Sequence, residues 1–309
     1  MATKNPPPSD SASLLPPPTA RTDMLLLHAL TRRERGLLFF LALLLLAGIV
    51  GPVLPAADVA IALVFADTRG WHGLPNAMDV LSNLPFLFVG CWGLYWLHRI
   101  DRAHHEALAG FPLAPPASDP PDNTLDCAWL FFAGLIAAAA GSAFYHLQPD
   151  APRLAADRAG MAVAFAGLIG MAVCERVSQR AGWPAAWFVL TAGLLSAEIV
   201  QETGNVLPWA LVQFGGMVLV FVLALARPMP GGVGLRLGGV IALYALAKAF
   251  ELADQQVFAA THEVVSGHTL KHLVASLAGL PVLAALRRLD RGWRAAALRH
   301  NPGAATVTA

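Results

Sequence analysis

The chain has 309 residues, of which 56% are hydrophobic and only 13% charged, about half the charge of a typical soluble domain. Its apolar residues gather in runs of roughly twenty, long enough for a helix to cross a bilayer, so the composition excludes an ordinary water-soluble enzyme and describes an all-α, polytopic membrane bundle. A net charge of +1 leaves no basic surface for nucleic acid, and Cys91, Cys127 and Cys174 fall inside apolar segments without metal-type spacing.

In chain order, residues 1–30 are rich in Pro, Ser and Ala and read as a disordered tail. Arg32, Arg33 and Arg35 precede an apolar run over 36–54, an extra N-terminal transmembrane helix whose basic region sits too deep for a signal peptide. Seven further spans follow: Asn76–Leu97, Leu125–Leu147, Asp157–Glu175, Trp183–Glu202, Trp209–Ala226, Leu235–Phe258 and Val264–Leu286. They make a seven-helix core over 76–287, with a Pro/Asp-rich loop at 99–124 and a basic tail at 288–309.

Arginine placement orients these spans. Arg99 and Arg102, Arg176 and Arg180, and Arg227 and Arg236 occupy alternate loops, and Arg287, Arg288 and Arg291 follow the last span; the opposite side holds only Arg69, Arg153 and Arg158. The positive-inside rule then makes both termini cytoplasmic. The abundance of arginine over lysine, with much alanine, suggests a GC-rich bacterial genome and hence a plasma-membrane location.

On that topology the polar residues share one depth, toward the outer side. Ser142 and His146 lie near the outer end of one span, Asp157 opens the next, and His268 and His272 lie just inside the end of the last. Asp79, Ser82 and Asn83, Glu198, Gln201 and Glu202, and Glu251, Asp254 and Gln255 fall in the same layer. Ionisable groups in a membrane are costly and face a bundle interior or a watered cavity, so the layer implies one polar chamber. Ser142 and His146 share a helix face, as do His268 and His272. Two such faces supply three imidazoles, the protein ligand set of a catalytic zinc that keeps one position open. A zinc ion on His146, His268 and His272 would lower its water's pKa and polarise a carbonyl. Asp157 is suited to taking the water's proton, Ser142 to hydrogen-bonding the oxyanion, and Glu251 and Asp254 to holding the far imidazole nitrogens. Each piece alone has an ordinary reading: a lone membrane histidine is more often an interhelical hydrogen-bonding group, and Gly141-Ser142 is ordinary small-residue packing. Their common depth is what favours a site.

Gly141-Ser142-x-x-x-His146, Asp157 eleven residues on, and Ser266-Gly267-His268-Thr269-Leu270-Lys271-His272 resemble the alkaline ceramidase family, within a seven-helix hydrolase superfamily that includes the adiponectin/progestin-type receptors. Asp79-Val80-Leu81-Ser82-Asn83 looks like that family's opening core helix, and the resemblance covers residues 76–287. It implies zinc on the three histidines, with Ser142 and Asp157 assisting hydrolysis of the amide of a ceramide-like N-acyl lipid and release of a fatty acid. Eukaryotic members carry an acidic calcium-binding segment before the first core helix. Here residues 67–76 hold one carboxylate, Asp67, and an arginine, Arg69, and the expectation of calcium weakens accordingly. Two rival readings are a receptor-like seven-helix lipid-binding protein with structural zinc, and a haem-carrying bundle, which the accompanying Ser and Asp fit badly.

Overall fold

The computed structural model describes residues 29–50, 65–110 and 122–300. It is 81% helical, with no strand among the described residues. Eleven helical segments follow one another: α1 (Arg32–Val50), α2 (Ala77–Leu81), α3 (Leu84–Gly110), α4 (Asp122–Leu147), α5 (Ala151–Arg176), α6 (Gln179–Thr203), α7 (Leu207–Leu225), α8 (Leu237–Leu252), α9 (Asp254–Ala260), α10 (Gly267–Leu277) and α11 (Gly279–His300). Among the described residues six helices are long and apolar enough to cross a membrane: Ala77–His104, Asn123–Leu147, Ala151–Arg176, Gln179–Thr203, Leu207–Leu225 and Gly267–Arg294. They mark an integral membrane protein.

The expected seventh core span differs. Leu235–Phe258 is split at Ala253 into helices of 16 and 7 residues, each below the length that spans a bilayer. Irregular backbone at membrane depth is tolerated only where its polar groups are satisfied inside the protein, and Asp254, just past the break, meets that condition. Its carboxylate accepts the backbone N–H of Ala66 at 2.9 Å and of His268 at 2.7 Å. The N-terminal helix is present as α1, but its first turn carries Arg32, Arg33, Glu34 and Arg35, and its described part is not among the six apolar spans. Residues 51–54 of the expected run, and the tail at 1–28, lie outside the described residues. Two helices overrun their expected ends. α3 continues to Gly110 into the expected loop, and α11 continues to His300 through most of the expected tail.

Helices α4 and α5 form the inner pair, and glycines bring their backbones together. A Cβ on Gly134 would lie 2.3 Å from the Ala164 nitrogen, one on Gly141 2.5 Å from the Ala156 oxygen, one on Gly160 2.6 Å from the Ala137 carbonyl, and one on Gly167 2.3 Å from the Phe131 nitrogen. On each helix the glycines are seven residues apart, so they fall on one face and replace side-chain contact with backbone contact. Between apolar lipid and apolar side chains such close van der Waals packing, rather than hydrophobic transfer, holds helices together. Around the pair, Phe132, Leu97, Ile169, Met171 and Leu286 form the buried core.

The end of the bundle where α5 finishes is closed by polar side chains. Glu175, fully buried, accepts the backbone N–H groups of Val233, Gly234 and Leu235 at 2.9, 3.0 and 3.2 Å. Glu34 ties α1 to the same end, accepting from Ser178 at 2.6 Å and from two nitrogens of Arg180, each at 2.7 Å. Arg33 donates to the carbonyl of Arg176 at 2.6 Å. The histidines lie at the opposite end, where α4 finishes and α5 begins.

Candidate metal centre

The site is assembled by helix ends and helix breaks. His146 sits in the last turn of α4. The carbonyl it leaves free there accepts from the Asn76 side-chain amide at 2.8 Å, which pins the start of α2 against it. His268 and His272 lie one turn apart on α10. Ser266 caps that helix, its hydroxyl accepting the Thr269 N–H at 3.0 Å, while Asp254 takes the N–H of His268. Gly267 lets α10 start here, since a Cβ would stand 2.3 Å from the Phe250 oxygen. Asp157 lies in the second turn of α5, because that helix begins six residues earlier than its expected start, capped by Asp150. Asp157 is therefore no helix cap, and its carboxylate faces the Ser142 hydroxyl across the glycine-packed α4–α5 seam.

His146, His268 and His272 are buried, and one nitrogen from each lies within 4.8 Å of the others. Nε2 of His146 and Nε2 of His268 are 3.2 Å apart. Two nitrogens bound to one tetrahedral zinc at about 2.05 Å would be roughly 3.3 Å apart, so this pair fits a shared ion. The Ser142 hydroxyl is 3.4 Å from Nε2 of His272. Phe65 lies edge-on to His146 and His268, with ring centroids 4.8 and 4.7 Å away, and shields them. Nδ1 of His146 and Oδ2 of Asp79 are both buried without a hydrogen-bond partner and face each other at 4.0 Å. Orphaned buried polar atoms are uncommon in a folded protein. Here two of them lie at three convergent imidazoles, a donor set that could hold a metal ion.

The structure brings together Ser142, His146, Asp157, His268 and His272. Glu251 and Asp254 lie beside them but do not hold the far imidazole nitrogens. Asp254 is occupied by the backbone N–H groups of Ala66 and His268. Glu251 is ion-paired with Lys248 and, at 3.2 Å, with Lys271. Ser82 takes such a place at His272, its hydroxyl 2.8 Å from Nδ1, and Asp79 faces Nδ1 of His146 at 4.0 Å without a hydrogen bond. Lys271 was also overlooked: its ammonium is 3.1 Å from Nε2 of His268. A lysine between two histidines in sequence was a signal for it; for Asp79 and Ser82 the signal was two polar residues one turn apart on an otherwise apolar helix. The polar layer is smaller than its sequence suggests, since Glu198, Glu202 and Gln255 are exposed and point away.

The segment before α2 turns through Trp71 and Leu74, which exchange backbone hydrogen bonds at 2.9 Å. Both oxygens of Asp67 are taken by the Arg69 guanidinium, at 2.8 and 2.6 Å, which holds that carboxyl below the usual carboxylate range. An open cleft of ≈ 510 Å³ lies on the segment around α2, lined by Trp71, Ala77, Met78, Leu81 and Val264 with Arg69 and Gly70 and by none of the site residues. No protein-family model matches this chain, and no curated protein matches its sequence.

Proposed function

We propose that this protein is a zinc-dependent intramembrane hydrolase that cleaves the amide bond of a ceramide-like N-acyl lipid and releases a fatty acid. The observation that carries the reading is the meeting of three buried imidazoles with a serine–aspartate pair, built from three separate helices. Three neutral nitrogen ligands suit zinc, which keeps a further position open in its catalytic sites. Bound there, zinc supplies an activated water and polarises a carbonyl.

The remaining roles belong to the chain's own side chains. Asp157 accepts the proton of the attacking water and returns it to the leaving amine. Ser142 donates to the oxygen of the carbonyl under attack. Phe65 and Tyr145 keep bulk water from the imidazoles, which strengthens every electrostatic contact among them. Alternate-loop arginines support a cytoplasmic location for both termini and an outward-facing site in a bacterial plasma membrane.

The test is metal content by plasma emission on detergent-purified protein, beside the His146→Ala and His268→Ala variants, followed by turnover of a panel of N-acyl lipids. About one zinc per chain, lost in both variants, together with fatty-acid release, is expected. Zinc without turnover, and with saturable lipid binding, would favour a receptor-like protein with structural metal. Wild type free of zinc after careful handling would sink the reading.

A further inference from the structure

We infer that Asp79 and Ser82 are positioning residues that set the ring tautomers of His146 and His272, so that both present an unprotonated Nε2 to the shared centre. Its purpose rests on the metal reading above, but its geometry does not.

A hydroxyl has one hydrogen to give. The Ser82 hydroxyl is 3.0 Å from the Asp79 carbonyl oxygen, to which it donates, and 2.8 Å from Nδ1 of His272. With its hydrogen committed to the carbonyl, it accepts from the imidazole, so His272 carries its proton on Nδ1. The Nε2 of His272 is then a bare lone pair directed toward Ser142.

Asp79 is placed to do the same for His146 through its side chain, although at 4.0 Å its Oδ2 and the ring Nδ1 are not hydrogen-bonded. Oδ1 of its fully buried carboxyl accepts the Thr269 hydroxyl at 2.9 Å, and the Ser266 hydroxyl donates to Thr269 at 3.1 Å. That chain runs one way and leaves Oδ2 for another donor. Among the described residues, an unpartnered buried nitrogen that faces it is Nδ1 of His146, 4.0 Å away. Closing that gap to hydrogen-bond distance would satisfy both orphans at once and hold the ring's single proton on Nδ1 rather than on Nε2. Nε2 of His146, which lies 3.2 Å from Nε2 of His268, would then be left bare toward the shared centre. One short segment, α2 with the Ser82 that caps it, thus faces two imidazoles held on two other helices. The hydrogen-bond partner of the second ring nitrogen is what selects the ligating nitrogen of a histidine.

The experiment is nitrogen-15 NMR of the imidazoles in metal-free, histidine-labelled protein in detergent, with the two rings assigned by His146→Ala and His272→Ala. Both rings are expected to carry hydrogen on Nδ1. Ser82→Ala should move the proton of His272 to Nε2 and leave His146 unchanged; Asp79→Ala should shift His146, whereas Asp79→Asn, whose amide oxygen still accepts, should preserve it. Chelator competition should show zinc bound about 10- to 100-fold more weakly by Ser82→Ala and Asp79→Ala, with circular dichroism of the metal-free proteins as the check on folding. Wild type with Nε2 protonated on either ring overturns the inference, whatever the variants do, and so does an unchanged His272 in folded Ser82→Ala. Wild type with the expected tautomers that nonetheless binds no zinc upholds it and removes the metal reading instead.

Discussion

Ser142 stands between two partners, Nε2 of His272 at 3.4 Å and the Asp157 carboxylate, and its hydroxyl is not one of the three nitrogen ligands. Ser142→Ala should therefore leave zinc stoichiometry unchanged while lowering turnover by about 10²- to 10³-fold, the usual loss for one oxyanion donor. Single-turnover kinetics on a metal-quantified sample checks it, and wild-type turnover would remove the role. His268→Ala differs in kind, because on the proposed function it would delete a ligand: metal and turnover should disappear together. Glu251, pinned between Lys248 and Lys271, controls where the Lys271 ammonium lies. Glu251→Gln should leave metal content intact and alter turnover only through Lys271, an outcome read by comparing it with Lys271→Met and the double variant for non-additivity.

At the scale of elements, the α4–α5 seam sets the distance between Ser142 and Asp157. Gly134 lies two helical turns from Ser142 and touches neither metal nor substrate, but a side chain there meets the Ala164 backbone. Gly134→Val should cost about 1–3 kcal/mol, the usual range for overpacking, seen as a lower unfolding temperature in detergent with a parallel loss of turnover. The attachment of α1 is electrostatic at its first turn. Arg180 and Ser178 hold the Glu34 carboxyl well below its ordinary value of 4.5. A depressed folded value means the stabilisation is complete above that ordinary value and fades as pH falls below it. Wild type should lose thermal stability between pH 5 and pH 3, on the order of the range this linkage covers, and Glu34→Gln should be less stable at pH 7 and flatter across the same window.

For the whole molecule, three elements on the site side carry breaks: between α2 and α3, between α8 and α9, and between α10 and α11. At two of them polar groups the bilayer could not solvate turn inward: the Ser82 hydroxyl and the Asn83 side-chain nitrogen donate to the Asp79 carbonyl at the first, and Asp254 accepts the His268 N–H at the second. A metal bound across α4 and α10 would tie the two sides of this region together and bind the folded state alone. Saturating zinc at 100 times its dissociation constant should add about 2.7 kcal/mol to stability. The effect should be seen as a concentration-dependent rise in unfolding temperature that His146→Ala abolishes.

The membrane class, six of the seven core spans and the five convergent site residues were legible in the linear chain. Apolar runs of bilayer length and a four-residue spacing of Ser and His are local properties, and helical geometry converts them directly into faces. The break at Ala253 was not legible: Leu235–Phe258 reads as one apolar run, and only the docking of Gly267 against Phe250 and the two backbone N–H groups on Asp254 make the interruption favourable. The orienting partners were not legible for the same reason. Glu251 and Asp254 were as close in depth to the histidines as Asp79 and Ser82, and depth is all a sequence reports for a membrane helix. Rotation about the helix axis is decided by packing, and packing turned Asp79 and Ser82 onto the imidazoles, Glu251 onto two lysines, and Glu198 and Glu202 outward.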